Sequence, residues 1–307
     1  MPTLKELVQK PKKIMSGHRS CRGCGFPIIA RHILRATDKP VVVVNATGCM
    51  EVTTTIYPQT AWQIPWMHNA FENAAATMSG VIAAYNFLKK NKKLDKEIKF
   101  VVFGGDGGTY DIGLQALSGA WERGDNFLYV CYDNQAYMNT GIQRSSATPV
   151  GAITSTTPLG EIHKGKEGDR KDIVKIACAH NLPYVAQATI HNWLDLYNKA
   201  KKAIETNGPT FLNVLSPCVL GWKYDSALTV ELSRLAVETC YWPLYEIEKG
   251  VYKINYIPQN KLSVVEFIKH QSRFKHLLKE ENKEILNHLQ RCVDQSWENL
   301  LKINQAI

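Results

Sequence analysis

The chain has 307 residues, 45% of them hydrophobic, which is above the usual single-domain size yet within reach of one large α/β unit with a sizeable core. No apolar run approaches the ~18–20 residues of a membrane span, and the start, MPTLKELVQKPKK, lacks the apolar segment of a signal peptide, so a cytoplasmic protein is expected. The net charge of +9, from 37 basic and 28 acidic residues, suits nucleic acid or an acidic protein; without finger spacing, an arginine stripe or an aromatic RNP pattern, the acidic protein partner is favoured.

Residues 1–17 read as a polar arm with a short helix, TLKELVQK. CRGC follows at Cys21 and Cys24, and a helix is predicted over Ile28 to Leu34 with Ile29, Ala30 and Leu34 on its apolar side. Val41 to Asn45 reads as a short buried strand, typical of a parallel sheet covered on both faces. It delivers Gly48 and Cys49 to its carboxyl end. Ala70 to Leu88 is predicted helical, because it shows no strand alternation and its small residues, among them Ala74, Ala76 and Gly80, permit close packing. Lys89 to Lys99 reads as a solvated connection.

The centre of the chain is Val101 to Gly141. Val101 to Phe103 ends a buried strand that starts near Ile98, and Gly104, Gly105, Gly107 and Gly108 then surround one carboxylate, Asp106. An amphipathic helix is predicted from about Asp111 to Glu122, and a second strand from Phe127 to Tyr132 runs into Asp133 and Asn134. This layout places Asp106 and Asn134 at the carboxyl ends of two strands, which border the ligand crevice of a doubly wound sheet. Glycine amides and a helix N-terminus suit a phosphate. A carboxylate facing phosphate needs a hard cation between them, and Mg²⁺ takes oxygen ligands: the side chains of Asp106 and Asn134, and a carbonyl at Ala136. The plainer alternative is a glycine-rich turn with an Asx cap.

Residues 141–171 show little periodicity and are expected to form an active-site loop followed by an exposed polar turn, HKGKEGDRKD. Helix, strand and helix are then predicted at Asp172 to His180, Tyr184 to Ala188 and Asn192 to Glu205, with the last core strand at Pro209 to Leu215, ending at Cys218. The run from Asn260 is helical, with an apolar stripe through Val265, Ile268, Leu278, Ile285 and Trp297 that is expected to pack on another subunit. Two parts are therefore expected: residues 1–260, which carry the cofactor and cysteine loops, and a helical extension over 261–307. The fold class is α/β, a doubly wound and mostly parallel sheet.

Of the eight cysteines, Cys131, Cys178, Cys240 and Cys292 sit in apolar or helical settings and read as small buried hydrophobes. Cys21, Cys24, Cys49 and Cys218 sit in Gly- or Pro-rich loops. Four loop thiolates close one tetrahedral site, and zinc or a 4Fe–4S cluster both satisfy that count. The wide gap from Cys49 to Cys218 departs from compact zinc ribbons. His18 beside the first thiolate is either a partner of the metal site or a loop cap, and His68, Glu51 and Glu72 lie where they could face the cofactor.

The ordered segments GHRSCRGCG, NATGCMEVTTTIYPQTAW, IPWMHNAFENAAA, GGDGGTYDIG, YDNQAYMNTGIQRSS, TTPLG, SPCVLGW and LAVETCYWPLYE resemble the β subunit of pyruvate:ferredoxin oxidoreductase over residues 10–260. The resemblance implies a thiamine diphosphate-binding fold, with Gly105, Asp106, Gly107, Gly108 and Asn134 at the cofactor and Mg²⁺ held by Asp106, Asn134 and Ala136. It implies one 4Fe–4S cluster on Cys21, Cys24, Cys49 and Cys218, and a catalytic place beside the substrate for Asn139. It further implies oxidative decarboxylation of a small 2-oxoacid, pyruvate first, with electrons leaving through the cluster to ferredoxin and the acyl group to coenzyme A. The related 2-oxoisovalerate and oxalate enzymes are alternatives, and a zinc-stabilised, non-catalytic interaction subunit is an alternative of another class. Partners would be an α subunit that supplies the activating glutamate and much of the pocket, and γ and δ subunits or their equivalents with further clusters. The chain departs from the family pattern at Asp133, which stands where an asparagine is common, at Val219-Leu220 before Gly221, and at Cys240 in place of glycine.

Overall fold

A computed structural model describes residues 2–305 of the chain. Met1 of the arm and residues 306–307 of the C-terminal run lie outside the described residues. Six strands form the parallel body of one sheet: β1 (Val41–Ala46), β2 (Trp66–Asn69), β3 (Lys99–Gly105), β4 (Leu128–Asp133), β5 (Tyr184–Thr189) and β6 (Thr210–Leu215). An antiparallel hairpin, β7 (Tyr245–Glu248) and β8 (Val251–Ile254), extends it, and the strand order is β2-β1-β3-β4-β6-β5-β7-β8.

The central strands are buried on both faces, which is why they read as apolar runs rather than as alternating patterns. Alternate residues serve two cores. Val43, Val101, Phe103 and Val130 pack on one face against the helices Phe26–Arg35 and Trp193–Glu205. Val44, Val102 and Tyr129 face the other way, toward the helices Ala74–Lys90, Leu114–Glu122 and Ile173–Ala179. The result is the expected doubly wound α/β sheet with a helical C-terminal extension.

Parts of the chain differ from the sequence reading. Gly107–Ile112 is not an open turn: it is a π-helical segment that begins directly after β3, with Gly113 N–H donating to Gly108 O at 2.9 Å, and the α-helix Leu114–Glu122 continues it. The β7–β8 hairpin was not anticipated, although Lys249-Gly250 marks its turn; both residues have positive φ, 49° and 85°, as a type I′ turn requires. The stripe expected to face another subunit is largely taken by this chain's own core. Ile268 and Trp297 are buried there, Ile285 packs against it, and only Leu278 of that set is exposed. The helix Lys283–Gln305 is tied to the sheet where Ile254 N–H donates to Asn304 Oδ1 at 2.9 Å.

His32 illustrates what burial on these faces costs. Its ring stacks on Trp193 with centroids 6.2 Å apart, and its Nδ1 has no hydrogen-bond partner. Burial, then Arg35, pushes its pKa down to about 4. In the unfolded chain the imidazole titrates near ~6.5. Between these values the unfolded state binds a proton that the folded state refuses, so stability falls as pH drops from about 6.5 to about 4. The expected loss is about 2 kcal/mol once the ring's partial exposure is allowed for. Urea unfolding of His32→Gln should show a shallower decline over that range; an unchanged slope would assign the acid limb to other groups.

Candidate active site

The sheet topology selects one crevice. From β1 the chain moves outward to β2, whereas from β3 it moves the other way to β4, so the strand order reverses between β1 and β3. Ligands of open α/β sheets bind outside the carboxyl ends of the strands at such a point. The adjacent strands β1, β3, β4 and β6 each deliver one candidate there: Cys49, Asp106, Asn134 and Cys218. A cleft is lined by Gly48, Cys49, Gly105, Gly107, Asn134 and Asn139, with Gly108 and Ala136 also on its wall.

Asp106 is fully buried. Its Oδ1 accepts from Asn134 N–H at 3.2 Å, and its Oδ2 accepts from the Ser145 hydroxyl. The Asn134 backbone is pinned on its other side as well, since Trp222 Nε1 donates to Asn134 O at 2.8 Å. The Asn134 side-chain oxygen lies 2.9 Å from Asp106 Oδ1 and 2.8 Å from Ala136 O. Three oxygens therefore converge with no proton between them. Either the amide turns over and donates to both neighbours, or a cation sits among the three. Those two separations fit neighbouring positions of an octahedral Mg²⁺ shell, in which bonds of 2.0–2.1 Å set adjacent oxygens about 2.9 Å apart. Burial, then the charge of Asp133, pushes the Asp106 carboxyl up; a bound cation would oppose both.

Asp133 is buried next to this set and is compensated. Tyr110 OH donates to its Oδ2 at 2.7 Å, Arg170 Nη2 donates to the same oxygen at 2.9 Å, and Gln135 N–H donates to its Oδ1 at 3.0 Å. The charged residue that departs from the family pattern is thus a structural ion pair holding the Asn134 turn from behind.

Gly107 carries the close approach. A Cβ there would fall 2.4 Å from the Tyr137 ring, and that ring is fixed because Tyr137 OH donates to Gly107 O at 2.9 Å. Gly107→Ala is expected to lower stability by about 1–3 kcal/mol through overpacking and to weaken diphosphate binding in parallel. Thermal melting and a thiamine diphosphate titration check both, and Gly107→Ala with Tyr137→Ala should recover part of the stability.

The four loop cysteines come together at the same end of the sheet. Cys24 lies within the electrostatic reach of Cys218, Cys49 and Cys21, and Cys49 within that of Cys218 and Cys21. Burial pushes the Cys24 and Cys218 thiols up and moves Cys49 to about 12. Backbone amides oppose this: Gly221 N–H points at Cys218 Sγ, 3.4 Å away, and the Phe26 amide faces Cys24. Such N–H···S contacts stabilise thiolates, and a bound metal inverts the effect of burial. Among the described residues, no three of these sulfurs lie within 4.8 Å of one another. The buried Arg273 guanidinium lies 4.1 Å from the Trp222 ring and is held by two neutral amide oxygens, Gln135 Oε1 at 2.6 Å and Gln271 Oε1 at 2.9 Å; its charge favours anionic sulfur at Cys218.

Asn139 is exposed at the cleft mouth, and its amide reaches the Cys49 sulfur. Gln143 is occupied in its own turn, accepting from Thr140 Oγ1 and donating to Thr140 O, while Arg144 is exposed. His68 bonds Thr47 Oγ1 at 2.8 Å and lies 3.8 Å from Glu51. His18 contacts Arg31 rather than a sulfur. Sequence reasoning missed Ser145, Trp222, Tyr137 and Arg170 as supports of the site. All four stood in segments already quoted, Tyr137 in YDNQAYMNTGIQRSS, Ser145 in the loop after Gly141, Arg170 in HKGKEGDRKD and Trp222 in SPCVLGW, but nothing local marked them as supports.

Comparison with known proteins defines the class first. Residues 46–214 match the thiamine pyrophosphate enzymes through their C-terminal TPP-binding domain, and the chain is a thiamine diphosphate-binding subunit of an oxidoreductase. It is 50% identical to the pyruvate synthase subunit PorB of Thermotoga maritima, covering 99% of this chain and 97% of that one. It is 50% identical to PorB of Methanocaldococcus jannaschii, with 91% and 93% covered, and 42% identical to the ketoisovalerate oxidoreductase subunit VorB of Pyrococcus abyssi, with 96% and 94% covered. The 2-oxoglutarate:ferredoxin oxidoreductase of Magnetococcus marinus shares the fold at a TM-score of 0.57 and 22% identity, over 74% of this chain and 80% of that one. The chain belongs to the PorB family, the β subunits of 2-oxoacid:ferredoxin oxidoreductases.

Proposed function

We propose that this subunit serves the oxidative decarboxylation of pyruvate to acetyl-CoA and CO2, with Mg²⁺, thiamine diphosphate and one 4Fe–4S cluster as its cofactors. The observation that carries the reading is that the Asn134 side-chain amide meets Asp106 Oδ1 and Ala136 O at a glycine-walled topological switch point. Their three oxygens would hold Mg²⁺, and the amides of Gly107 and Gly108 at the start of a helix would face the diphosphate. A cluster on Cys21, Cys24, Cys49 and Cys218 is supported by the kinship with PorB and by the gathering of these four thiols at one end of the sheet. Bound here, thiamine diphosphate supplies the electron sink for decarboxylation and the cluster accepts electrons singly.

The chain's own residues place and shield these groups. Ser145 and Asp133 with Arg170 fix the cation ligands, and Tyr137 and Phe71, whose rings lie 5.8 Å apart, close the cleft over Gly107 and Gly108. Asn139, between the Cys49 sulfur and the cleft, is the residue assigned to orient the substrate. The chain works inside a hetero-oligomer: an α subunit supplies the activating glutamate and most of the substrate pocket, further subunits carry additional clusters, and ferredoxin takes the electrons. Residues 1–260 would carry the chemistry, and the outer face of 261–307 would meet a neighbouring subunit. Among the described residues no helix is long and apolar enough to cross a membrane, and the cysteines are all free thiols, as suits the cytoplasm.

The VorB relative keeps a branched-chain 2-oxoacid as the second reading. The test is a panel of pyruvate, 2-oxoisovalerate, 2-oxoglutarate and oxalate on the assembled complex, with a low-potential viologen acceptor and with or without coenzyme A. Pyruvate with coenzyme A should give the highest kcat/KM; preference for 2-oxoisovalerate, or for oxalate without coenzyme A, would overturn the substrate assignment.

A further inference from the structure

Outside the lining of the cleft, the C-terminal helix carries His288 and Cys292, four residues apart and therefore on one face. The loop ahead of the helix Ile173–Ala179 brings Asp169 against them. His288 Nε2 lies 3.0 Å from Asp169 Oδ1, Cys292 Sγ lies 3.5 Å from the same oxygen, and Cys292 Sγ lies 3.5 Å from His288 Nε2. These three atoms form a triangle whose edges can be compared with a metal shell. Zinc bonds of about 2.3 Å to sulfur and about 2.0–2.1 Å to nitrogen and oxygen, at tetrahedral angles, give edges of about 3.5 Å for S···N and S···O and about 3.3 Å for N···O. The triangle matches the two sulfur edges and is within a few tenths of an ångström on the third.

We propose that Asp169, His288 and Cys292 form a three-ligand site for a zinc-class divalent cation, separate from the cofactors of the active site. Thiolate and imidazole exclude Mg²⁺ and Ca²⁺ and select Zn²⁺ or Co²⁺. The fourth position is open. Asp169 and Cys292 line a cavity shared with Val150, Cys240 and Tyr241, so a water or a small anion completes the shell. None of this was evident in the sequence, where Cys292 read as a small buried hydrophobe; Asp169 is distant in sequence and only the fold adds it.

The site has a structural consequence. Asp169 directly precedes Arg170, whose guanidinium holds Asp133 and Tyr110 behind the Asn134 turn. A cation at Asp169 therefore clips the loop of Arg170 to the C-terminal helix. It joins a surface position to the support of the active site without touching the cleft.

The test uses the full-length chain, prepared anaerobically with its iron–sulfur cluster in place so that the other loop thiolates are occupied, and Co²⁺ and Zn²⁺ as probes. Wild-type protein should bind one Co²⁺ per chain, with a thiolate-to-cobalt charge-transfer band that Zn²⁺ displaces. Cys292→Ser and His288→Gln should weaken binding by more than about 100-fold, beyond what loss of an outer-shell partner does, Asp169→Asn should weaken it by at least about tenfold, and Cys240→Ser should leave it unchanged. Zn²⁺ should also shield Cys292 from alkylation, read peptide by peptide, and raise the melting temperature of the wild type but not of Cys292→Ser. Equal cobalt spectra in wild type and Cys292→Ser, or alkylation of Cys292 at the same rate with and without Zn²⁺, would overturn the assignment and leave the trio as a hydrogen-bonded surface cluster. Because these readouts do not depend on turnover and are compared with Cys292→Ser, they are independent of the proposed substrate.

Discussion

Asp106→Asn is expected to abolish thiamine diphosphate binding and to lower the activity of the assembled complex by roughly a thousandfold, about 4 kcal/mol of transition-state stabilisation. The same change should leave the melting temperature of the cofactor-free chain unchanged or raise it. The reasoning is electrostatic. Asp106 is fully buried, and burial and the neighbouring Asp133 both disfavour its charged form. Without a cation the fold therefore holds this carboxylate at a cost, and a neutral amide of the same size removes that cost. Asparagine keeps an oxygen for the Asn134 N–H or the Ser145 hydroxyl but loses the charge that would bind Mg²⁺. Function and stability should then move in opposite directions, as at sites where strain serves chemistry. Isothermal titration with Mg²⁺ and thiamine diphosphate, paired with melting of the cofactor-free protein, checks both halves. Wild-type affinity in the variant would remove Asp106 from the site.

The second large effect is expected at Cys218. Cys218→Ser should leave thiamine diphosphate binding within about threefold of wild type, on the scale of about 0.6 kcal/mol, while iron and labile sulfide fall to background and viologen reduction is lost. Cys218 follows β6 and closes the cysteine set from the far side of β4, so its removal leaves three sulfurs. Serine fits the space and can accept from Gly221 N–H, so the loop should keep its shape; what changes is a soft thiolate for a hard hydroxyl. Zinc in the wild-type protein with no labile sulfide would replace the cluster by the zinc-stabilised alternative.

The parts of this architecture that were legible in the sequence are those set by local rules. The strands at β1, β3, β4 and β6 are apolar runs because both faces of the sheet are covered, and their ends coincide with Gly48, Asp106, Asn134 and Cys218. Asp106 and Asn134 stood out because a lone carboxylate among glycines has few other uses. The loop cysteines stood out because structural cysteines favour apolar settings. What the sequence did not disclose depends on tertiary contacts. Trp66–Asn69 is a strand only because β1 offers it an edge, and its own residues are half exposed. The π-helical segment at Gly107 follows from packing against Tyr137 and Phe71, residues that lie far along the chain or across the cleft. Arg170 came from a segment that looked like an exposed turn, yet its guanidinium meets the buried Asp133. The apolar stripe of the C-terminal run was visible, but periodicity does not say which surface a helix will cover, and β8 with its neighbours claims it.

The most direct measurement is an electron paramagnetic resonance spectrum of the anaerobic, thiamine diphosphate-loaded complex, frozen after mixing with pyruvate and before any external acceptor is added. The account predicts a reduced 4Fe–4S signal that appears on mixing, is absent without the 2-oxoacid, and is lost both in Asp106→Asn, where the cofactor no longer binds, and in Cys218→Ser, where the cluster no longer forms. A signal that develops equally well in Asp106→Asn, or CO2 release from pyruvate with no reduction of a cluster held by this chain, would contradict it.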